Sequence, residues 1–230
     1  MAGAGVTFSV AARCRRTGQL GAAVATSDIA VGSRVPHARA GVGVALTQHR
    51  TDPRLGPRAL DLLASGCAAA GAVDGVIAST EDRGWRQLAV VDASGGVATF
   101  SGDRVEPPFA EIQDDGVAVL GNVLASGEVG PAILAAFLSS DGVQLAERLM
   151  RALEAGLFAG GEPSPPRSAA LLVVEEQPFP LVDLRVDLDE RPLDRLRELW
   201  DCYRPHVRVF AARALDPDTA DAPELIGELP

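Results

Sequence analysis

The chain has 230 residues, 47% of them hydrophobic and 23% charged, with a formal net charge of -10 at pH 7. That length buries a sizeable core and that composition excludes wholesale disorder. The acidic balance argues against nucleic acid or an anionic membrane surface as partner, because both recruit clustered Lys and Arg.

Val6 to Arg13 alternates in facing, with Val6, Phe8, Val10 and Ala12 on one side and Thr7, Ser9, Ala11 and Arg13 on the other. That period of two predicts a half-buried strand. Residues 15–19 read as a turn and Leu20 to Thr26 as a second strand, which makes an opening β-hairpin. Ser27 to Arg39 reads as irregular, and Gly41 to Gln48 as a third strand built on small residues. Helices follow from Asp52-Pro53 to Ala64 and over Ala68 to Ser79. Gln87 to Asp92 and Gly96 to Ser101 form a second hairpin, and Gly116 to Asn122 another strand. Two helices cover Glu128 to Leu138 and Val143 to Ala155, the latter with one apolar face. Strands at Ser168 to Glu175 and Leu181 to Asp187 precede a last helix, opened by Pro192 and running to Tyr203.

Hairpins imply antiparallel sheets, and helices grouped between blocks of strands imply layers rather than βαβ units. The expected fold is therefore α+β, with helices outside two antiparallel sheets over residues 1–203 and an irregular tail over 204–230. In that tail Val207 and Val209 alternate with His206 and Arg208, a pattern open to an added strand. Cys14, Cys67 and Cys202 are isolated and read as small buried thiols of a reducing cytoplasm. The first six residues have no basic or long apolar region of a secretion signal, and no apolar run is long enough to span a bilayer.

All 21 basic residues are arginine, so Schiff-base chemistry, a P-loop lysine and a lysine general base are absent. There is no GxSxG nucleophile elbow, and the three histidines, His37, His49 and His206, lie in no HExxH or HxH pattern. No metal or cofactor is expected. Two residues stand out. Thr7 lies on the more polar face of the first strand, near the start of the chain; it is either an ordinary strand threonine or a nucleophile whose own α-amine is the general base. Asn122 is the only asparagine and follows Gly121 at a strand end; it is either a turn residue or a donor to a developing oxyanion.

The segments Thr7-Phe-Ser-Val-Ala-Ala-Arg, Gly21-Ala-Ala-Val-Ala-Thr and 30–43 resemble domain of unknown function family 1028. The likeness continues through Thr47-Gln48, Asp52-Pro-Arg-Leu-Gly-Pro-Arg, Gly121-Asn122-Val-Leu-Ala and Ser168-Ala-Ala-Leu-Leu-Val-Val, to about residue 203. The resemblance implies an Ntn-hydrolase-like fold, a four-layer αββα sandwich. It also implies amide cleavage through an N-terminal nucleophile, with Thr7 in the matching position. Its amine becomes free only if residues 1–6 are removed, and Val6 stands where self-processing hydrolases usually have Gly. The chain departs from the family pattern at 105–111 and at Pro165-Pro-Arg-Ser.

The reading that follows is an amidohydrolase acting on a small-molecule amide. Thr7 attacks, Asn122 holds the oxyanion and Arg39 orients a substrate carboxylate. Thr26, Ser9, His37 and Gln48 are the expected substrate contacts, and Arg34, Arg39, Arg50 and Arg54 suggest an anionic ligand. The alternative is an inactive ligand-binding or assembly protein on the same fold. Trp200 and Tyr203, one turn apart, are expected to anchor a homodimer or larger homo-oligomer.

Overall fold

A computed structural model describes residues 6–218. The chain opens with the expected hairpin, β1 (Thr7–Arg13) and β2 (Leu20–Thr26), paired in register from Thr7↔Thr26 to Arg13↔Leu20. There follow β3 (Pro36–Arg39), β4 (Gly43–His49), helices α1 (Leu55–Ala64) and α2 (Ala69–Ala78), then β5 (Arg86–Asp92), β6 (Val97–Ser101), β7 (Ala110–Asp114) and β8 (Val117–Asn122). The rest is α3 (Val129–Ser139), α4 (Leu145–Phe158), β9 (Ser168–Val174), β10 (Val182–Val186), α5 (Pro192–Tyr203) and α6 (Val207–Leu215).

The strands form two antiparallel sheets, one of six in the order β10-β9-β2-β1-β8-β7 and one of four in the order β3-β4-β5-β6. Three apolar clusters make four layers. Phe8, Val10 and Ala12 face α3 and α4, together with Ile133, Leu149 and Leu153. Ala11, Val24 and Leu120 of the larger sheet meet Val44, Leu46 and Val91 of the smaller one. Ala45, Leu88 and Val90 face α1 and α2 on the far side. Helices thus cover the outer face of each sheet, and the fold is a four-layer αββα sandwich. Gly21 is required where β2 meets β9, since a Cβ there would lie 2.7 Å from the Leu172 carbonyl oxygen.

The structure corrects four readings. Residues 36–39 are not irregular but form the short edge strand β3. β7 was not expected at all; its sequence Ala-Glu-Ile-Gln-Asp carries too few apolar residues to signal a strand, because it is an exposed edge. The start of the tail is neither irregular nor a strand: Val207–Leu215 is helical, and burial of Val207 and Val209 holds it to the body. Of the three thiols only Cys14 is buried; Cys67 is half-buried and Cys202 exposed.

Trp200 also differs from expectation. It lies 1% exposed within its own chain, and its indole N–H donates to Glu147 Oε2 of α4 at 2.8 Å. Glu147 also accepts from Arg197 and Arg151, so α5 is locked onto α4 by a part-buried ion network. Trp200 is therefore a core residue and not an interface anchor. The exposed apolar side chains of this region are Leu199, Phe210 and Leu215.

Candidate active site

The antiparallel registers build the site. Thr7 pairs with Thr26 on one side and with Asn122 on the other, and Thr26 pairs with Ser168. Directly opposed residues share a face, with Cβ atoms about 4.5–5.5 Å apart. A polar row, Ser168–Thr26–Thr7–Asn122, therefore crosses one end of the larger sheet on its inner face. All four side chains are buried, Thr7 at 5% exposure. Ser9 sits two residues further in, on the same face.

The hydroxyls of this row are chained. Thr7 Oγ1 donates to Thr26 Oγ1 at 3.2 Å, and Thr26 Oγ1 donates to the Val6 carbonyl oxygen at 2.5 Å. The Ser27 amide donates to the same oxygen at 3.3 Å. The carbonyl just ahead of Thr7 thus receives two hydrogen bonds, and the Thr7 hydroxyl is linked to it through one side chain.

A second network ties the two sheets together. Gln87 Nε2 donates to the backbone carbonyls of Ala110 and Gly121, each at 3.1 Å, and to Ser101 Oγ at 3.0 Å. Those two carbonyls accept only, so they fix which end of the Gln87 amide is oxygen. Gln87 Oε1 then accepts from Gln48 Nε2 at 2.8 Å and from Asn122 Nδ2 at 3.3 Å. Gln48 Oε1 in turn accepts from Ser9 Oγ at 2.6 Å. One N–H of Asn122 is committed, and its Oδ1 is buried without a donor. Asn122 is not a turn residue: the left-handed position falls on Val123, at φ 50, a conformation that costs a β-branched side chain about 1–3 kcal/mol. Hydrogen bonds from the Val123 and Leu124 backbone amides to the carbonyls of Glu106 and Pro108 hold that turn in place.

The structure brings together Thr7, Thr26, Asn122, Ser9 and Gln48, and leaves out Arg39 and His37. Alternation along β3 turns Ala38 inward and sends His37 and Arg39 toward α1. Arg39 pairs with Asp61 of α1 at 2.8 Å and is 44% exposed. It also lies opposite Gly43, five residues along β4 from Gln48, which is about 17 Å at strand rise. His37 packs against Gly56 of α1, and burial lowers its pKa. The other arginines expected around an anion are held elsewhere. Arg34 donates to the carbonyls of Ile29 and Ala30, Arg54 to Asp52, and Arg50 stacks over Trp85.

Two features were not anticipated from sequence. Gln87 is the hub of the buried network, but a strand glutamine carries no signal of its own. Glu162 lies 7% exposed beside the start of β1, with Oε2 accepting the Ser27 amide at 2.9 Å and Oε1 unpartnered. Burial pushes its carboxyl up to about 9; the Ser27 hydrogen bonds oppose this and the Asp28 carboxylate adds to it. Next to these residues opens a pocket of about 830 Å³, lined by Val6, Ser27 and Asp28 on one side and by 164–167 and 188–190 on the other. One of the two segments that departs from the family pattern, Pro165-Pro166-Arg167, is therefore a pocket wall.

Residues 7–196 match the family described as a family of unknown function, DUF1028. The chain belongs to that family. Among solved structures, the DUF1028 protein SPO2555 from Silicibacter pomeroyi is 30% identical over 86% of each chain, with a TM-score of 0.80. Eukaryotic HslV from Trypanosoma brucei is 13% identical, over 74% of this chain and 99% of that one, at a TM-score of 0.43. Anbu (ancestral beta-subunit) from Yersinia bercovieri is 14% identical, over 89% of this chain and 96% of that one, at 0.41. No curated protein matches. Among the described residues there is no group of three or more His, Cys, Asp or Glu able to hold a metal ion, and no described helix is long and apolar enough to cross a membrane.

Proposed function

We propose that this DUF1028 protein is an amide hydrolase of the N-terminal nucleophile type, acting through Thr7 once residues 1–6 are released. The observation that carries the reading is the hydroxyl chain from Thr7 through Thr26 to the Val6 carbonyl oxygen. It links the attacking oxygen to the bond that must break.

In the release step Thr7 Oγ1 adds to the Val6 carbonyl carbon, and its proton reaches the Thr7 nitrogen by way of the Thr26 hydroxyl, which gives up one proton for the one it takes. The Thr26 hydroxyl and the Ser27 amide stabilise the oxyanion that develops on the Val6 oxygen. The bond to the Thr7 nitrogen breaks, leaving an ester on Oγ1 and an amine on Thr7, and water hydrolyses the ester. In turnover the freed amine takes the Oγ1 proton and Oγ1 attacks the substrate carbonyl. The leaving amine takes the proton back, and water removes the acyl group. Asn122, opposite Thr7, retains one uncommitted N–H for the substrate oxyanion. Arg39 has no part in this scheme, since it is paired with Asp61 on the outer side of the sandwich.

A second reading, a binding protein that keeps the Val6–Thr7 bond, is favoured by the burial of both residues in the β1–β2 ladder. The test is a panel of fluorogenic amides. It compares the purified protein, a chain that begins at Thr7, and the Thr7→Ala variant. Hydrolysis by the Thr7-initiated chain and none by Thr7→Ala is the expected result. No hydrolysis by any of the three favours the binding protein.

A further inference from the structure

The pocket beside Val6 has the chemistry of a cation site. Val6 forms part of its lining, so loss of residues 1–6 would open it directly onto the Thr7 amine. Its charged lining is Asp28, Asp189, Glu190 and a single guanidinium, Arg167. Asp28 has Arg34 at 3.9 Å, whose guanidinium also donates to the carbonyls of Ile29 and Ala30. Asp189 spends one oxygen on the Arg191 amide at 2.8 Å and keeps the other. Ser27, in the wall, donates its amide to the buried Glu162 carboxyl. Pro165, Pro166 and Leu188 add apolar surface for an aliphatic stem. With Arg34 counted, carboxylates outnumber guanidiniums three to two in a chain of net charge -10, so the pocket stays net negative and favours positive charge.

We infer that this pocket binds an ammonium or guanidinium group on a short aliphatic stem, the part of the substrate that sets specificity for the hydrolysis proposed above. The inference rests on that reading for the word substrate, but cation binding itself does not require turnover. An anionic ligand, suggested by the arginine count, is disfavoured because those arginines point elsewhere.

Agmatine and glutarate are suitable probes of opposite charge, titrated into the protein and followed by backbone amide shifts. Agmatine should shift Ser27, Asp28, Asp189 and Glu190, and glutarate should not. The Asp189→Asn and Glu190→Gln changes should each weaken agmatine about fivefold, the scale of one solvated ion pair. Glutarate binding as tightly as agmatine, agmatine shifts confined to another surface, or affinity untouched by both substitutions overturns the inference. Thr7→Ala separates the two proposals. If it binds agmatine while the wild-type protein cleaves no amide, the pocket stands and only the hydrolase reading fails.

Discussion

Glu162→Gln should make the protein more stable, and increasingly so as pH rises. The Glu162 carboxyl is 7% exposed, with one oxygen on the Ser27 amide and the other unpartnered. Its pKa rises on folding from 4.5 to about 9. Between those values the folded protein holds a proton that the unfolded chain releases. Stability is therefore full below about 4.5 and declines as pH rises, until the folded group itself ionises near 9. At pH 7 the unfolded group is two and a half units above its pKa. At about 1.36 kcal/mol per unit, roughly 3 kcal/mol has been lost. Glutamine accepts the same Ser27 hydrogen bond and needs no proton. Its NH2 replaces an acid O–H that lacks a partner as well, so the variant should recover about 2–3 kcal/mol at pH 7 and almost nothing at pH 4.5. For a chain of this size that is roughly 5–10 °C in Tm. Urea denaturation of both proteins at pH 4.5, 7 and 8.5 checks it. A variant less stable than wild type at pH 8.5, or a difference that does not grow with pH, refutes the reasoning.

Gln87→Leu removes the hub of the inter-sheet network and strands Gln48 Nε2, Asn122 Nδ2 and two backbone carbonyls, so urea denaturation should show a loss of at least about 3 kcal/mol. Thr26→Val keeps the shape and deletes the relay; the folded protein should retain residues 1–6, read by intact mass. Arg39→Ala breaks only a solvated pair with Asp61 and should change stability by less than about 0.5 kcal/mol and amide turnover not at all. Trp200→Phe should cost about 1–2 kcal/mol through the lost Glu147 bond and leave the sedimentation coefficient unchanged, as befits a core residue.

Much of the fold was legible because its strands and helices obey simple periods. Phe8, Val10 and Ala12 face helices and Thr7, Ser9 and Ala11 face the other sheet, as the alternation along β1 required. The elements missed were both edges. β3 and β7 bury only one face or part of it, so their composition is that of loops. Residues 207–215 read as strand-like because Val207 and Val209, two apart, are both buried although the segment is helical. The site was half legible. Thr7 and Asn122 announced themselves by position and scarcity, and the strand registers place them side by side. Arg39 ends the edge strand β3, where the sequence reads as irregular, and that strand turns it outward to Asp61. Gln87 and Glu162 act through partners about 15–135 residues away in the chain, which no local pattern reveals.

The central claim, that Thr7 is a nucleophile released from its own chain, is tested most directly by the intact mass of the purified protein and of its Thr7→Ala variant after incubation near neutral pH. The account predicts that the wild-type mass falls by the whole of residues 1–6, leaving Thr7 at the N-terminus, while Thr7→Ala keeps Val6. A wild-type protein that retains Val6 through prolonged incubation, or a Thr7→Ala variant that loses the same six residues at the same rate, contradicts it.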